Sequence, residues 1–249
     1  MEERDDPSPA ARRRGIYLLP NLLTTGALFA GFYAILAAMK GEYHQAGAAV
    51  FVAMFFDGLD GQVARLTHTQ SDFGIQYDSL SDMVSFGVAP AVLAFSWMLH
   101  HLGKLGWAAA FVYASCAALR LARFNSQAGS ADRRHFIGLP SPTAAALVAG
   151  LAWLGHDWPP HFAATVGAAA VTALAGILMV SNFRYRSLKG IDLRGRVPFP
   201  VILGVVLLLV AITVDPPAVL LALAALYTAT APVGWLWEWW RRRTAAGAP

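Results

Sequence analysis

The chain has 249 residues, of which 57% are hydrophobic and 14% are charged. Soluble domains carry about 25% charged residues, so the composition excludes an ordinary soluble domain and indicates an integral membrane protein. The formal net charge is +4, but the basic residues lie in short clusters between apolar runs, which indicates membrane loops and no nucleic-acid partner. Cys116 is the single cysteine and lies within an apolar run, so the sequence predicts a packing role for it and no disulfide framework.

Apolar runs close to the roughly 20-residue length that crosses a bilayer predict about eight transmembrane helices. They lie near residues 18–39, 45–65, 74–99, 105–124, 140–156, 162–181, 197–214 and 217–239. The predicted fold class is therefore all-α, a polytopic helical bundle in the membrane. Residues 1–15 are predicted to be a polar N-terminal tail, residues 16–240 a single membrane domain and residues 241–249 a second tail. The apolar run after the first tail lacks the cleavage pattern of a secretory signal, so we expect no cleavage there.

Lys and Arg are distributed unequally between the two sides that eight segments define. Seventeen fall on the side that holds both termini and the loops near 66–73, 123–139 and 182–196, whereas only Lys40 and Lys104 fall on the other. Positive charge marks the cytoplasmic side of a membrane protein. The sequence therefore predicts a protein of the cytoplasmic membrane with both termini in the cytoplasm.

The first predicted segment opens with Leu19-Pro20-Asn21. Proline is expected at the start of a helix. Asn21 has two interpretations that the sequence does not separate. It can cap the helix or bond a neighbouring helix, or it can reach the edge of a site formed by the next two segments.

Four carboxylates lie where the second predicted segment ends and the third begins: Asp57, Asp60, Asp78 and Asp82. Acidic side chains at membrane depth are costly and normally serve a function. Spacings of three and four residues place each pair, Asp57 with Asp60 and Asp78 with Asp82, on one face of a helix. Two such pairs facing each other would form an all-oxygen site for Mg²⁺ or Mn²⁺ at the cytoplasmic side.

Small residues accompany these carboxylates. Gly61 and Ala64 fall on the face of the first pair, and Gly74 lies one turn before Asp78. Residues without bulky side chains leave room for a large ligand to approach the backbone. Arg65 is a cation beside this space and is predicted to hold a phosphate oxygen.

The fourth predicted segment ends with A-L-R-L-A-R-F-N, which carries Arg120 and Arg123. Arg123 suits a snorkelling anchor at the cytoplasmic interface. Arg120 lies one turn deeper, near the depth of the carboxylates, and is predicted to contact substrate. The break G-L-P-S-P-T at residues 138–143 follows, and its hydroxyl groups can line the same cavity.

The remaining polar features are interpreted as membrane anchors and caps. The loop at 181–196 carries five basic residues that suit anionic lipid headgroups, and the C-terminal W-L-W-E-W-W-R-R-R is typical of an interfacial belt. The pairs His100–His101 and His156/His161 fall at the opposite side of the membrane. Because no cysteine or carboxylate cluster accompanies them, caps are favoured over metal ligands.

The acidic stretch has the form D-x₂-D-G-x₂-A-R-x₈-G-x₃-D-x₃-D. The residues that fit it are Asp57, Asp60, Gly61, Ala64, Arg65, Gly74, Asp78 and Asp82. This pattern resembles the signature of the CDP-alcohol phosphotransferases, membrane enzymes that join an alcohol to a phosphate taken from a CDP-linked lipid. Over roughly residues 17–190 the chain also resembles the membrane-embedded bacterial and archaeal phosphatidylserine synthases of that family.

The resemblance implies an enzyme that transfers the phosphatidyl group of CDP-diacylglycerol to L-serine, giving phosphatidylserine and CMP. It implies two Mg²⁺ or Mn²⁺ ions, a lipid bilayer as surroundings and a homodimer. Asp57, Asp60 and Asp78 are assigned to metal, and Asp82 both to metal and, by the resemblance, to accepting the proton of the alcohol. The CDP-lipid is assigned to Gly61, Ala64, Arg65 and Gly74, and the carboxylate of serine to Arg120 or Arg123. No Ser–His or Cys–His pair lies near the motif, so direct attack by the alcohol is favoured.

Two alternatives remain open at this point. The acceptor can be a different alcohol, such as glycerol phosphate, inositol phosphate or choline; a phosphorylated acceptor would require two or more Arg or Lys at the cavity. A cation transporter would also use intramembrane carboxylates. The four Asp residues cluster at one side, with no chain of ionisable residues leading across, which disfavours transport.

Overall fold

Helices form almost all of the described chain, which in this computed structural model comprises residues 9–67, 71–126, 135–186 and 199–246. The α-helices are α1 (Pro9–Met39), α2 (Tyr43–Leu66), α3 (Asp72–Asp82), α4 (Ala89–Trp97), α5 (Lys104–Ser126), α6 (Ser141–Leu154), α7 (Phe162–Val180), α8 (Phe199–Val214) and α9 (Pro216–Ala246). A π-helix at Met83–Val88 joins α3 to α4, and a 3₁₀ helix at Leu99–Leu102 precedes α5. Two short strands, β1 (His135–Ile137) and β2 (Arg184–Arg186), form a small antiparallel sheet. The predicted polytopic helical fold is confirmed, with this sheet as an addition.

Within the described residues, six helical segments are long and apolar enough to cross a membrane, so the chain is an integral membrane protein. They are Leu19–Met39, Tyr43–Leu66, Asp72–Trp97, Lys104–Ser126, Phe162–Val180 and Pro216–Trp237. The fifth and seventh predicted segments are shorter apolar helices, α6 with 14 residues and α8 with 16. Each of the eight predicted segments thus has a helical counterpart within the described ranges.

The ends of the chain differ from the predicted division in one respect. Helix α1 begins at Pro9, inside the segment that was predicted to be a polar tail, and α9 continues to Ala246. Residues 1–8 and 247–249 of the predicted tails lie outside the described residues, as does the predicted basic loop from residue 187 onward. The division into one membrane domain and two tails remains a prediction.

Pro90 lies where the third predicted segment changes its helical geometry. The π-helix at Met83–Val88 comes immediately before it, and Pro90 occupies the first turn of α4. In an α-helix the N–H of residue 90 would bond the Phe86 carbonyl, but proline has no N–H. The buried Tyr113 hydroxyl of α5 donates to that carbonyl instead, at 2.9 Å. A neighbouring helix therefore satisfies the carbonyl that the proline leaves free, as expected for a proline inside a membrane segment.

Small residues hold the helices close together. Helices α1 and α2 form the most extensive helix pair, and the residues that both helices bury are mostly alanine. At Gly31 of α1 an added methyl group would collide with Ser85 of the π-helix, whose hydroxyl donates to the Ala27 carbonyl at 3.1 Å. Close contact through small residues is a common means of helix association in membranes. Helix α1 therefore packs against α2 and also against the segment that follows α3.

The small sheet connects the loop before α6 to the segment after α7. Phe136 of β1 pairs with Tyr185 of β2, and the Gly138 N–H donates to the Phe183 carbonyl at 2.9 Å. Tyr185 is buried, its ring stacks on Tyr227 of α9 at 5.6 Å between centroids, and its hydroxyl donates to a carbonyl of α9 at 3.2 Å. Burial, with a smaller contribution from Tyr227, raises the pKa of Tyr185 to about 12, so the phenol remains a donor. The sheet thereby attaches α9 to the start of α6.

Candidate functional site

Three of the predicted carboxylates meet at one end of the bundle. Each of Asp57 and Asp60 on α2 and Asp78 on α3 offers a carboxylate oxygen, and these oxygens lie within 4.8 Å of one another. The faces of α2 and α3 that carry these residues therefore lie next to each other. An all-oxygen set of carboxylates suits a hard divalent cation such as Mg²⁺ or Mn²⁺. The residues present therefore fit a metal of that class.

Asp82 lies beside this group, one helical turn beyond Asp78. Its side chain is within hydrogen-bonding reach of the Asp57 carboxyl group, and Asp78 and Arg120 are its other charged neighbours. Two ionised carboxylates in contact repel each other strongly, so this arrangement requires a shared proton or a bridging cation. Asp82 thus interacts both with the carboxylates of the metal group and with the guanidinium of Arg120.

Asp60 has little exposed surface, with an exposed fraction of 5%. Its Oδ2 atom accepts a hydrogen bond of 2.6 Å from the hydroxyl of Thr24 on α1. The sequence analysis did not identify this contact. A threonine in an apolar helix normally bonds a backbone carbonyl in the preceding turn of the same helix. The sequence around Thr24 therefore gives no indication of a partner on another helix.

Helix α1 also lies along the start of α3. The side-chain oxygen of Asn21 would lie 3.6 Å from a methyl group placed on Gly74, and the hydroxyl groups of Thr25 and Tyr77 are 2.9 Å apart. Asn21 therefore lies beside α3, at the edge of the site. Of the two interpretations of this residue, its position favours the second.

The two glycines of the motif have different surroundings. The nearest atom to a methyl group placed on Gly61 would be Nη1 of Arg65, 3.9 Å away, so the helix surface above Gly61 is open. Gly74 lies in the first turn of α3, and its N–H donates to the hydroxyl of Ser71, the N-cap residue, at 3.1 Å. Arg65 is exposed at the end of α2. Gly61 and Arg65 thus lie together on the last turns of α2, while Gly74 faces α1.

Arg120 extends from α5 toward the same carboxylates. Its Nη1 atom donates to the Ser141 hydroxyl at the start of α6, at 2.7 Å, and its charged or phenolic neighbours are Asp82, Tyr113 and Tyr227. Its Nε atom is buried and has no hydrogen-bond partner among the described residues. Leaving a charged donor unbonded in a buried position is costly, so this edge of the guanidinium is suited to an anionic ligand.

Arg123 points elsewhere. Both of its terminal nitrogens lie 3.4 Å from the side-chain oxygen of Asn182, after α7. Asn182, Phe183 and Trp235 line a cavity of about 270 Å³ at that place. The two arginines that the sequence treats as alternatives therefore have different partners: Arg120 bonds Ser141 and interacts electrostatically with Asp82, whereas Arg123 contacts Asn182 after α7.

Sequence reasoning missed two of the residues around Arg120. Tyr113 precedes it by two helical turns on α5, and this helical spacing could have identified it. Tyr227 lies on α9, far along the chain, and carries no motif that could have identified it. Ser141, in contrast, lies in the 138–143 break that was predicted to line the cavity.

The histidines predicted to cap helices lie at the other end of the bundle, where His156 and His44 line a cavity of about 400 Å³. Ring nitrogens of His100, His156 and His161 lie 2.9–3.1 Å from the backbone carbonyls of Phe95, Trp153 and Pro159. His161 precedes α7 but does not cap it through its side chain. One carboxylate, that of Asp157, does accompany His156, with 3.0 Å between Nε2 and Oδ2. The potential metal group recorded in the described part of the chain is the acidic one.

Comparison with known proteins gives consistent results. A family model described as CDP-alcohol phosphatidyltransferase matches residues 17–181, which contain the acidic group, Arg120 and Ser141. Three similar proteins each bear the name CDP-diacylglycerol–serine O-phosphatidyltransferase. The Helicobacter pylori protein is 40% identical over 177 residues, which are 70% of this chain and 74% of the relative. The Methanocaldococcus jannaschii protein is 40% identical over 136 residues, which are 55% of this chain and 61% of the relative. The Bacillus subtilis protein is 38% identical over 126 residues, which are 51% of this chain and 70% of the relative.

Proposed function

This chain belongs to the CDP-alcohol phosphatidyltransferase family, and from that premise we propose that it transfers the phosphatidyl group of CDP-diacylglycerol to L-serine. The products are phosphatidylserine and CMP. The observation that carries the proposal is the juxtaposition of the acidic group on α2 and α3 with the buried, partly unbonded guanidinium of Arg120. One side suits a cation-bound diphosphate and the other a carboxylate, which are the charged parts of the two substrates.

Asp57, Asp60 and Asp78 hold the divalent cations, which we propose to be two Mg²⁺ or Mn²⁺ ions. When bound, such ions neutralise the charge of the diphosphate and polarise the phosphorus that is attacked. Arg65 holds a phosphate oxygen as a charged donor. Gly61, Ala64 and Gly74 leave room for the cytidine end of the donor, and the open surface above Gly61 supports this.

Asp82 accepts the proton of the serine hydroxyl. The hydroxyl oxygen forms a bond to the phosphorus that carries the diacylglycerol, and the bond from that phosphorus to the CMP oxygen breaks. CMP leaves with the electron pair, and the proton passes to the Asp82 carboxylate. The position of Asp82 between Asp57 and Arg120 supports this role, because it lies where a diphosphate and a serine would meet.

Arg120 binds the carboxylate of serine through the edge that includes Nε, while Ser141 fixes the position of Nη1. A carboxylate carries one charge, whereas a phosphorylated acceptor would need more than one cation. Among the described residues, Arg120 is the cation recorded near Asp82, whereas Arg123 contacts Asn182. A single guanidinium at this point suits the carboxylate of serine better than a phosphorylated alcohol.

We also propose the finer location and assembly that the sequence predicted. The protein resides in the cytoplasmic membrane with both termini and the acidic site in the cytoplasm, because basic residues are concentrated on that side. It forms a homodimer, which mass measurement of the detergent-solubilised protein tests directly; a monomeric mass would contradict the assembly alone and leave the reaction unaffected.

The deciding experiment measures CMP release from CDP-diacylglycerol in mixed micelles by the purified protein. We expect release with L-serine, little with glycerol phosphate, inositol phosphate or choline, and none in excess EDTA, with recovery on addition of Mg²⁺ or Mn²⁺. Asp57→Asn provides the inactive control. Faster release with another alcohol would refute serine as acceptor, and full activity in EDTA would refute the role of the metal. Absence of CMP release with every alcohol, together with cation flux into liposomes, would favour a transporter.

A further inference from the structure

We propose that Thr24 of α1 is a positioning residue for the metal site: its hydroxyl orients Asp60 toward the cation, and its carbonyl connects the same point to α3. This inference rests on the proposed role of Asp60 as a metal ligand. Thr24 lies outside the acidic motif, and its position in the sequence of α1 does not distinguish it from an ordinary buried threonine.

The hydroxyl contact is short and enclosed. Oγ1 of Thr24 lies 2.6 Å from Oδ2 of Asp60, and the exposed fractions of the two residues are 4% and 5%. A distance of 2.6 Å is typical of a hydroxyl donating to an ionised carboxylate. The same hydroxyl lies 3.0 Å from the Pro20 carbonyl. A hydroxyl carries one proton, so the shorter distance and the charged acceptor favour donation to Asp60.

The main chain of Thr24 contacts the other half of the acidic site. Its carbonyl accepts a hydrogen bond of 3.2 Å from the hydroxyl of Ser81, a residue with an exposed fraction of 2%. Ser81 lies on α3 between Asp78 and Asp82. One residue of α1 is therefore bonded to α2 by its side chain and to α3 by its backbone, the two helices that supply the carboxylates.

The expected consequence concerns metal affinity. A carboxylate can rotate about its last bond, and a fixed donor on one oxygen holds its plane in place. Removing a hydrogen-bond partner of a metal ligand typically reduces metal affinity by roughly 10–100-fold. Thr24→Val replaces the hydroxyl with a methyl group of similar size, so it removes the bond to Asp60 and leaves the carbonyl contact with Ser81 in place.

The test is a Mn²⁺ titration of the purified protein without substrates, followed by electron paramagnetic resonance of the free ion. We expect Thr24→Val to weaken binding by about 10–100-fold and Thr24→Ser, which keeps the hydroxyl, to restore most of it. Thr172→Val is the matched control, because Thr172 is a buried threonine on α7 whose hydroxyl bonds only the Ala168 carbonyl in the described structure, at 2.8 Å. Its Mn²⁺ affinity should equal that of the unmodified chain. Thr24→Ala removes the same hydroxyl if the valine variant does not fold.

The outcomes separate this inference from the proposed function. If the unmodified chain binds Mn²⁺ and Thr24→Val binds it equally well, the positioning role is wrong and the metal site stands. If Thr24→Ser binds as weakly as Thr24→Val, the shape of the side chain and not its hydroxyl matters, which also overturns the inference. If the unmodified chain does not bind Mn²⁺, the metal site itself is refuted, and the role of Thr24 with it.

Discussion

Asp57 and Asp82 contact each other but have different surroundings, and this difference supports the separate roles proposed for them. Asp57 belongs to the group of oxygens that lie within 4.8 Å of one another. Asp82 interacts electrostatically with Arg120 as well as with Asp57 and Asp78. A residue between a metal group and a cation is well placed to accept a proton from a substrate held by both.

For Asp82→Asn we therefore expect Mn²⁺ and CDP-lipid binding to be largely retained. The rate of CMP release should fall by about 10²–10⁴-fold, the usual contribution of a general base. Asp57→Asn, measured alongside by Mn²⁺ titration, should lose metal binding as well as activity. If the two variants lose Mn²⁺ and CDP-lipid binding to the same extent, the proposed division between base and ligand is incorrect.

Arg120→Ala should act on serine and not on the lipid. A hydrogen bond to a charged group contributes about 1.5–3 kcal/mol, so the apparent KM for serine should rise by roughly ten- to a hundred-fold. Binding of the CDP-lipid should change little. Arg123→Ala is the comparison, and its effect on the serine KM should be smaller because Arg123 reaches Asn182. The reverse order of the two effects would move the acceptor pocket toward the α7–β2 connection.

At the scale of elements, the π-helix determines how the acidic helix α3 continues into the membrane. It begins at Met83, immediately after Asp82, and ends before Pro90. The Tyr113 hydroxyl bonds the carbonyl of Phe86 within it. Because a π-helix has more residues per turn than an α-helix, this segment changes the register of α4 relative to α3, and it lies directly beside the acidic group.

Tyr113→Phe tests that contribution. It leaves the Phe86 carbonyl without its bond in a buried position, so the free energy of unfolding should fall by about 1–3 kcal/mol. Thermal unfolding in detergent measures the change. Tyr33→Phe is the control, since the Tyr33 hydroxyl bonds Gln45 at 2.6 Å in an exposed position, where its loss should have little effect. Equal stability of the two variants would show that the Tyr113 bond does not support the π-helix.

At the scale of the whole molecule, the arrangement across the membrane can be tested on a single helix. Helix α5 has 23 residues, and its ends carry exposed Lys104 and Ser126. Single cysteines at these positions, introduced in a Cys116→Ala background, should report opposite sides. An impermeant maleimide should label the position-104 cysteine in intact cells and the position-126 cysteine only after permeabilisation, because the basic residues place the latter in the cytoplasm. The opposite labelling pattern would invert the proposed topology.

Local patterns account for what the sequence could predict. Helical spacing within each half of the motif was enough to predict that Asp57, Asp60 and Asp78 lie close together. Arg120 lies one helical turn before Arg123, and this spacing was enough to predict that Arg120 lies deeper in the membrane. Thr24 and Tyr227 could not be predicted in this way, because their partners are distant in sequence and their own helices show ordinary apolar patterns. The strands β1 and β2 have three residues each, too few for an alternating pattern to be recognised.

Helices α6 and α8 are both short, yet their surroundings have different consequences. Helix α6 is largely buried among other helices, whereas the described residues of α8 are exposed or partly exposed along its whole length, and α9 is its main neighbour. Sixteen residues at about 1.5 Å each extend about 24 Å, less than the roughly 30 Å thickness of the hydrocarbon core. Such hydrophobic mismatch is relieved when lipid chains compress beside the short helix. The bilayer next to α8 is therefore expected to be thinner than elsewhere, which brings the headgroup layer inward at this side of the protein.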